Sequence, residues 1–118
     1  LRVEERMPVI VAVLIEPKQA EAAQTTQYTV PPGYAVLIDK FTVTNTTGTA
    51  RNFSINLVTS GSVAAASNCV LSVRAIAPGE SYTCPEIVGH VLEAGDLIST
   101  LASAASALTV RASGRVLS

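Results

Sequence analysis

Residues 50–60, ARNFSINLVTS, put an apolar side chain at alternate positions. Phe53, Ile55 and Leu57 fall on one side, and Asn52, Ser54 and Asn56 on the other. A period of two belongs to a half-buried strand, because a helix brings its apolar face round only every 3.6 residues. The same signature, rich in β-branched residues, recurs along the chain, and no long stretch carries a helical period. This alternation constrains the fold more than any other feature: the chain must bury its apolar side chains through sheets.

Turn chemistry cuts the chain into short pieces. VIVAVLI at 9–15 reads as the first strand, ended by Pro17, which cannot donate to a ladder. KQAEAAQTT at 18–26 is polar and alanine-rich and reads as a loose arm or a short turn. YTV at 28–30 is closed by Pro31-Pro32-Gly33. YAVLIDKFTVTN at 34–45 is the longest strand pattern, with Phe41 and Val43 on one face and Thr42 and Thr44 on the other. Its AVLI run breaks alternation, which implies a bulge or burial of both faces. Asn45-Thr46-Thr47-Gly48 reads as a turn, so 34–45 and 50–60 are expected to form a hairpin.

GSVAAASN at 61–68 is a small-residue loop. CVLSVRAIA at 69–77 reads as a strand with Cys69, Leu71, Val73 and Ala75 on one face, and Ser72 and Arg74 on the other. SYTC at 81–84 lies between Pro78-Gly79 and Pro85. IVGHVL at 87–92 fits a strand or one helical turn. LISTLAS at 97–103 and ALTVRAS at 107–113 are the last strands, and GRVLS is the tail. About eight short strands at this spacing predict an all-β fold, an antiparallel β-sandwich or jelly roll. Residues 1–27 are expected to be an N-terminal strand and arm and 28–118 the sandwich, together a single domain of ordinary size.

Eight Lys and Arg against nine Asp and Glu give a net charge of −1, and the basic residues are scattered. Phosphate-backbone binders carry a clustered basic face, so nucleic acid is not an expected partner. A 48% hydrophobic, 14% charged composition also excludes a disordered chain. So little charge gives little colloidal repulsion, which fits either a surface covered by partners or a low-charge monomer. The run at 9–15 is too short to span a membrane, which takes about 20 apolar residues. LRVEER before it is charge-balanced, unlike a signal peptide. The chain starts at Leu1, and Met7 is a candidate true start.

Chemistry-bearing residues are sparse. His90 alone titrates near neutrality, and it sits in an apolar run that suits a structural role better than a catalytic one. Cys69 and Cys84 fit no metal-ligand spacing. They either pair across neighbouring strands or stay reduced, and a lone pair favours reduced thiols. The glycines stand singly at turns, so there is no phosphate-cradling loop. Five Phe and Tyr and no Trp leave little for a stacking platform or a sugar-lined cleft. No catalytic residue, cofactor or metal is expected.

VPPGYAVLIDKFTVTNTTG followed by NFSINLV, then APGESYTCPEIVGHVLEAGDLIST, and a closing ALTVRASGR give an order of strands and turns. Over residues 30–112 this order resembles small virion proteins encoded by tailed bacteriophages and prophages. The resemblance implies a structural subunit located in the virion and assembled in the bacterial cytoplasm. Its expected role is a capsid decoration or cement protein on the major capsid protein, working as a homo-oligomer, with a trimer favoured. A neck, collar or tail subunit is the alternative. The expected inter-subunit contacts are Val9, Ile10, Val11, Val13, Ile15, Gln19, Gln24 and Gln27, from the apolar strand and the arm behind it. Two other classes compete with this reading. An adhesin-like sandwich would need an aromatic loop cluster, and an enzyme would have to rest on His90 with a nearby carboxylate.

Overall fold

Phe41 and Phe53 meet at the centre of the molecule, with ring centroids 6.2 Å apart and neither ring exposed. They come from the two segments that the sequence suggests as a hairpin, yet they face each other across the core. The segments therefore belong to different sheets. The structure is a computed structural model that describes residues 8–118; the candidate start Met7 lies outside the described residues.

The strands are β1 (Val9–Gln19), β2 (Thr25–Thr29), β3 (Ala35–Asn45), β4 (Arg51–Val58), β5 (Cys69–Ile76), β6 (Ser81–Tyr82), β7 (Val91–Leu92), β8 (Leu97–Ala102) and β9 (Leu108–Leu117). A 3-10 turn, Ala66–Asn68, precedes β5. One sheet runs β1-β9-β3-β6, with β7 also on β3, and the other runs β2-β8-β4-β5. Every pairing is antiparallel. The pairs nest: β1 with β9, β2 with β8, β3 with β6 and β7, and β4 with β5. That is one long hairpin folded over itself into two facing sheets, the jelly-roll form of the sandwich.

The corner between β3 and β4 explains why these segments do not pair. Asn45 is fully buried at the end of β3. Its Nδ2 donates to Thr49 O at 2.8 Å and Ile76 O at 2.9 Å. Its Oδ1 accepts from Thr47 N at 2.9 Å and Thr47 Oγ1 at 2.7 Å. Its backbone N–H donates to Glu80 O, and its carbonyl accepts from Gly79 N. An Asx turn normally mimics a local reversal. Here the amide also reaches the end of β5, so the chain crosses to the other sheet instead of returning beside itself.

Other departures have local causes. Pro17 lies inside β1, where the register against β9 shifts between Ile15 and Lys18. An edge strand tolerates a missing donor at a bulge. The polar stretch expected as an arm is paired: β1 continues to Gln19 and β2 begins at Thr25. In β4 the alternation holds against β8: Leu57 packs half-buried on the core opposite Ile98, and Asn56, on the other face, is covered by the 61–68 loop, its Nδ2 donating to Ala65 O at 2.9 Å and Asn68 Oδ1 at 2.7 Å. In β5, Val73 takes a φ of 48° and turns outward, and Ile76 is buried in place of Ala75. GRVLS is the end of β9, a central strand between β1 and β3. Residues 87–92 are both things the sequence allows. A tight turn has His90 N donating to Ile87 O, and β7 follows it.

The core is aliphatic around the two Phe rings, with Ile38, Ile55, Ile76, Ile87, Ile98 and Leu108 fully buried. Burial of each such side chain stabilises the fold by about 1.5–3 kcal/mol. Gly114 in β9 is a true close approach. A Cβ there would strike the Leu37 carbonyl of β3 and press on Leu14.

Candidate functional site

The first half of β1 is an edge strand that the other described residues leave uncovered. Val9 is 55% exposed, Ile10 56%, Val11 81% and Val13 48%. Directly opposed residues of an antiparallel ladder share a face. Ile10 is opposite Val116, which is opposite the buried Val36, so Ile10 lies on the inner face near the sandwich rim. Val11 is opposite Arg115, Arg115 is opposite Leu37, and Leu37 is opposite Val91. Val9, Val11 and Val13 therefore share the outer face with Leu37 and the exposed Val91. Within that patch Arg115 grips Asp39 through Nη2–Oδ1 at 2.8 Å and Nε–Oδ2 at 3.0 Å. This hydrogen-bonded guanidinium holds the Asp39 carboxyl below its ordinary range.

The backbone of this segment is as open as its side chains. Ser118 N donates to Pro8 O at 3.3 Å, which fixes the phase of the ladder. In an antiparallel pair, alternate residues address the same neighbour with both N–H and C=O. Pro8, Ile10 and Ala12 thus face β9, and Val9, Val11 and Val13 present their N–H and C=O groups to solvent.

The eight expected contact residues do not form one surface. Val9, Ile10, Val11 and Val13 gather on the edge. Ile15 turns inward beside Leu14 and is only 3% exposed, because the bulge after Val13 rotates the chain. It is a core residue with no face left for a neighbour. Gln19 Nε2 reaches Ser106 O at 3.4 Å. Gln24 Nε2 donates to Ser99 Oγ at 2.7 Å, and Gln27 Nε2 to Glu21 Oε1 at 2.8 Å and Thr100 Oγ1 at 3.0 Å. These last two glutamines tie β2 to β8 within the chain. Glu21, hydrogen-bonded by Lys18 and Gln27, is held below the ordinary carboxylate range. Leu37 and Val91 join this outer face without being among the expected contacts. The broken alternation of AVLI is the signal for Leu37, and nothing in the sequence singles out Val91.

Elsewhere the chemistry is modest. Among the described residues no three His, Cys, Asp or Glu side chains come together as a metal site. Cys69 and Cys84 are both free thiols. Burial pushes the Cys84 thiol up to about 12, with the Glu86 carboxylate adding to the rise, so it is a poor nucleophile. Tyr82 Oη donates to Glu86 at 2.6 Å, and the Arg74 guanidinium sits 4.1 Å from the Tyr82 ring centroid. His90 is exposed and serves β3 through its backbone carbonyl, which accepts from Ile38 N at 3.0 Å. An open depression of about 410 Å³ is lined by Asp39, Lys40, Thr83, Pro85 and Val88. No helix among the described residues is long and apolar enough to cross a membrane.

No protein-family model matches the chain, and no curated protein matches it. Its fold is similar to that of a chain in the structure of infectious bursal disease virus, Gt strain. The TM-score is 0.53 at 11% identity, over 96% of this chain. The chain spans 33% of the length of that protein. At this identity the likeness speaks for the fold, and it agrees with the two nested sheets described above.

Proposed function

We propose that the protein is a structural subunit of a virus particle, and within that class a decoration subunit that binds the head shell of a tailed bacteriophage. The observation that carries the reading is the bare apolar half-edge of β1 on an otherwise self-sufficient sandwich. A soluble sandwich normally guards its edges, and an unguarded one is a site for joining other chains. The fold likeness to a chain of a virus structure supports the particle setting, as does the resemblance of the strand order to small phage virion proteins. A shell-binding subunit of this kind acts by avidity: several modest contacts on one oligomer hold adjoining shell subunits together. If it binds only the mature lattice, it stabilises that lattice by linkage. The reading gives the chain no catalytic step.

The test is quantitative mass spectrometry with immunogold labelling of purified particles from cells that carry the gene. Many copies per particle, with label on the head, are expected. Label on the neck or tail would move the subunit to those structures. Absence from purified particles would overturn the virion reading itself.

A further inference from the structure

We propose that two copies of this chain join through the first half of β1, antiparallel about a two-fold axis at Val11, into one continuous sheet. The inference deepens the assembly reading above by naming partner and interface. The two sheets have four edges. On the second sheet, β2 is a five-residue strand of Thr, Gln and Tyr, and β5 is twisted by register shifts and by the positive φ of Val73. On the first sheet, β6 and β7 are two residues each. Short, polar and bulged edges are the devices that prevent unwanted pairing.

β1 carries such devices in its second half only: register shifts around Leu14 and before Lys18, Pro17, and the charges Glu16 and Lys18. Residues 9–13, VIVAV, have no charge, no proline and no bulge. The protection stops where the apolar run begins, which marks 9–13 as the part meant to pair.

The same five residues suit their own inverse. About a two-fold at Val11, Val9 meets Val13 of the second copy, Ile10 meets Ala12, and Val11 meets itself. Val9, Val11 and Val13 are the residues whose N–H and C=O groups point outward, so the match closes roughly six backbone hydrogen bonds. Ile10, over half exposed on the inner face, gains a small neighbour in Ala12 with room beside it. The outer valines of both copies merge into one stripe, bordered on each side by the Arg115–Asp39 ion pair. The two-fold makes a dimer the unit of assembly, in place of the trimer that the phage resemblance implies.

The experiment is light scattering on size-exclusion fractions from about 10 µM to 1 mM, the span in which a small interface associates. The wild type should approach twice 12.2 kDa as concentration rises. Val11→Pro removes an outward donor that β9 does not use, and Val11→Lys places a charge on the axis. Both should remain monomers with wild-type melting temperatures, because Val11 is exposed. Val63→Lys, at an equally exposed apolar residue off the edge, should dimerise as the wild type does. A wild type that stays monomeric, a trimeric mass, or Val11 variants that associate normally would each overturn the two-fold pairing. Those results leave the particle assay untouched, and a dimer absent from particles would sink the virion reading alone.

Discussion

Replacing Asn45 by Ala should destabilise the fold by about 3 kcal/mol, and the size follows from where its four partners lie. Thr47 is half-buried and Thr49 exposed, so water can take over at Thr47 N, Thr47 Oγ1 and Thr49 O. Those three losses come to about 0.5 kcal/mol each, the low end for a hydrogen bond exchanged with solvent. The Ile76 carbonyl is different, because Ile76 is fully buried and loses a 2.9 Å donor. A dry, stranded carbonyl adds about 1–3 kcal/mol. For a chain of this length the sum lowers the melting temperature by roughly 10–15 °C.

Asn45→Asp sharpens the test. It keeps the shape but turns an oxygen toward the Thr49 and Ile76 carbonyls, so at pH 7 it should be less stable than the alanine variant. The buried carboxyl favours its neutral form, so its folded pKa lies above the unfolded value of about 3.9. Its stability relative to the alanine variant is therefore greatest below pH 4 and is lost as pH rises through the folded pKa. Urea unfolding followed by far-UV circular dichroism from pH 3 to 8 measures both variants. An alanine variant within about 1 kcal/mol of wild type, or an aspartate variant above it at pH 7, would refute the corner argument.

Three further outcomes are expected. Gly114→Ala should destabilise by about 1–3 kcal/mol, because the new Cβ meets the Leu37 carbonyl; chemical denaturation measures it, and a neutral result would mean that β9 can shift away from β3. In the native protein a disulfide reagent should label Cys69 quickly and Cys84 only on unfolding, given the buried, high-pKa thiol of Cys84; equal rates would contradict that burial. Asp39, its carboxyl lowered by the Arg115 hydrogen bonds, should titrate below the usual carboxylate range by NMR and return to that range in Arg115→Ala. The pair contributes above the ordinary Asp range and is lost as pH falls through the depressed value.

The period-two pattern made the sheets legible, because the side-chain period of a strand is local and survives without tertiary context. It located the Phe41 and Phe53 faces correctly. It could not tell which strands pair. Asn45-Thr46-Thr47-Gly48 has the composition of a hairpin turn, and only the distant Ile76 carbonyl makes it a corner. The irregularity after Ile38 was legible in the broken alternation of AVLI, but the bulges of β1 and β5 were hidden, since a single extra residue swaps faces for everything after it. That is why the alternation puts Ile15 on the surface and Val73 in the core, where the structure has the reverse. The apolar run at 9–13 was visible as a contact candidate, but its status as an unguarded edge depends on β9 covering only one side of it. The role of Gln24 and Gln27 as ties between β2 and β8 needed the second sheet.

Closure is the final consequence of the edge arrangement. A chain with a net charge of −1 has almost no long-range repulsion to limit association. A bare strand edge on such a chain would grow open-ended arrays if it docked on a different edge of the next copy, because each addition would leave the bare edge free again. Pairing β1 with its own copy consumes the two bare half-edges together, and what remains exposed is short, polar or bulged. Near pH 5.7, where the calculated net charge vanishes, the contrast is greatest. The scattering mass should level off at two copies as concentration rises. A mass that keeps climbing there would mean that β1 docks on another edge, and that the symmetric pairing about Val11 is wrong.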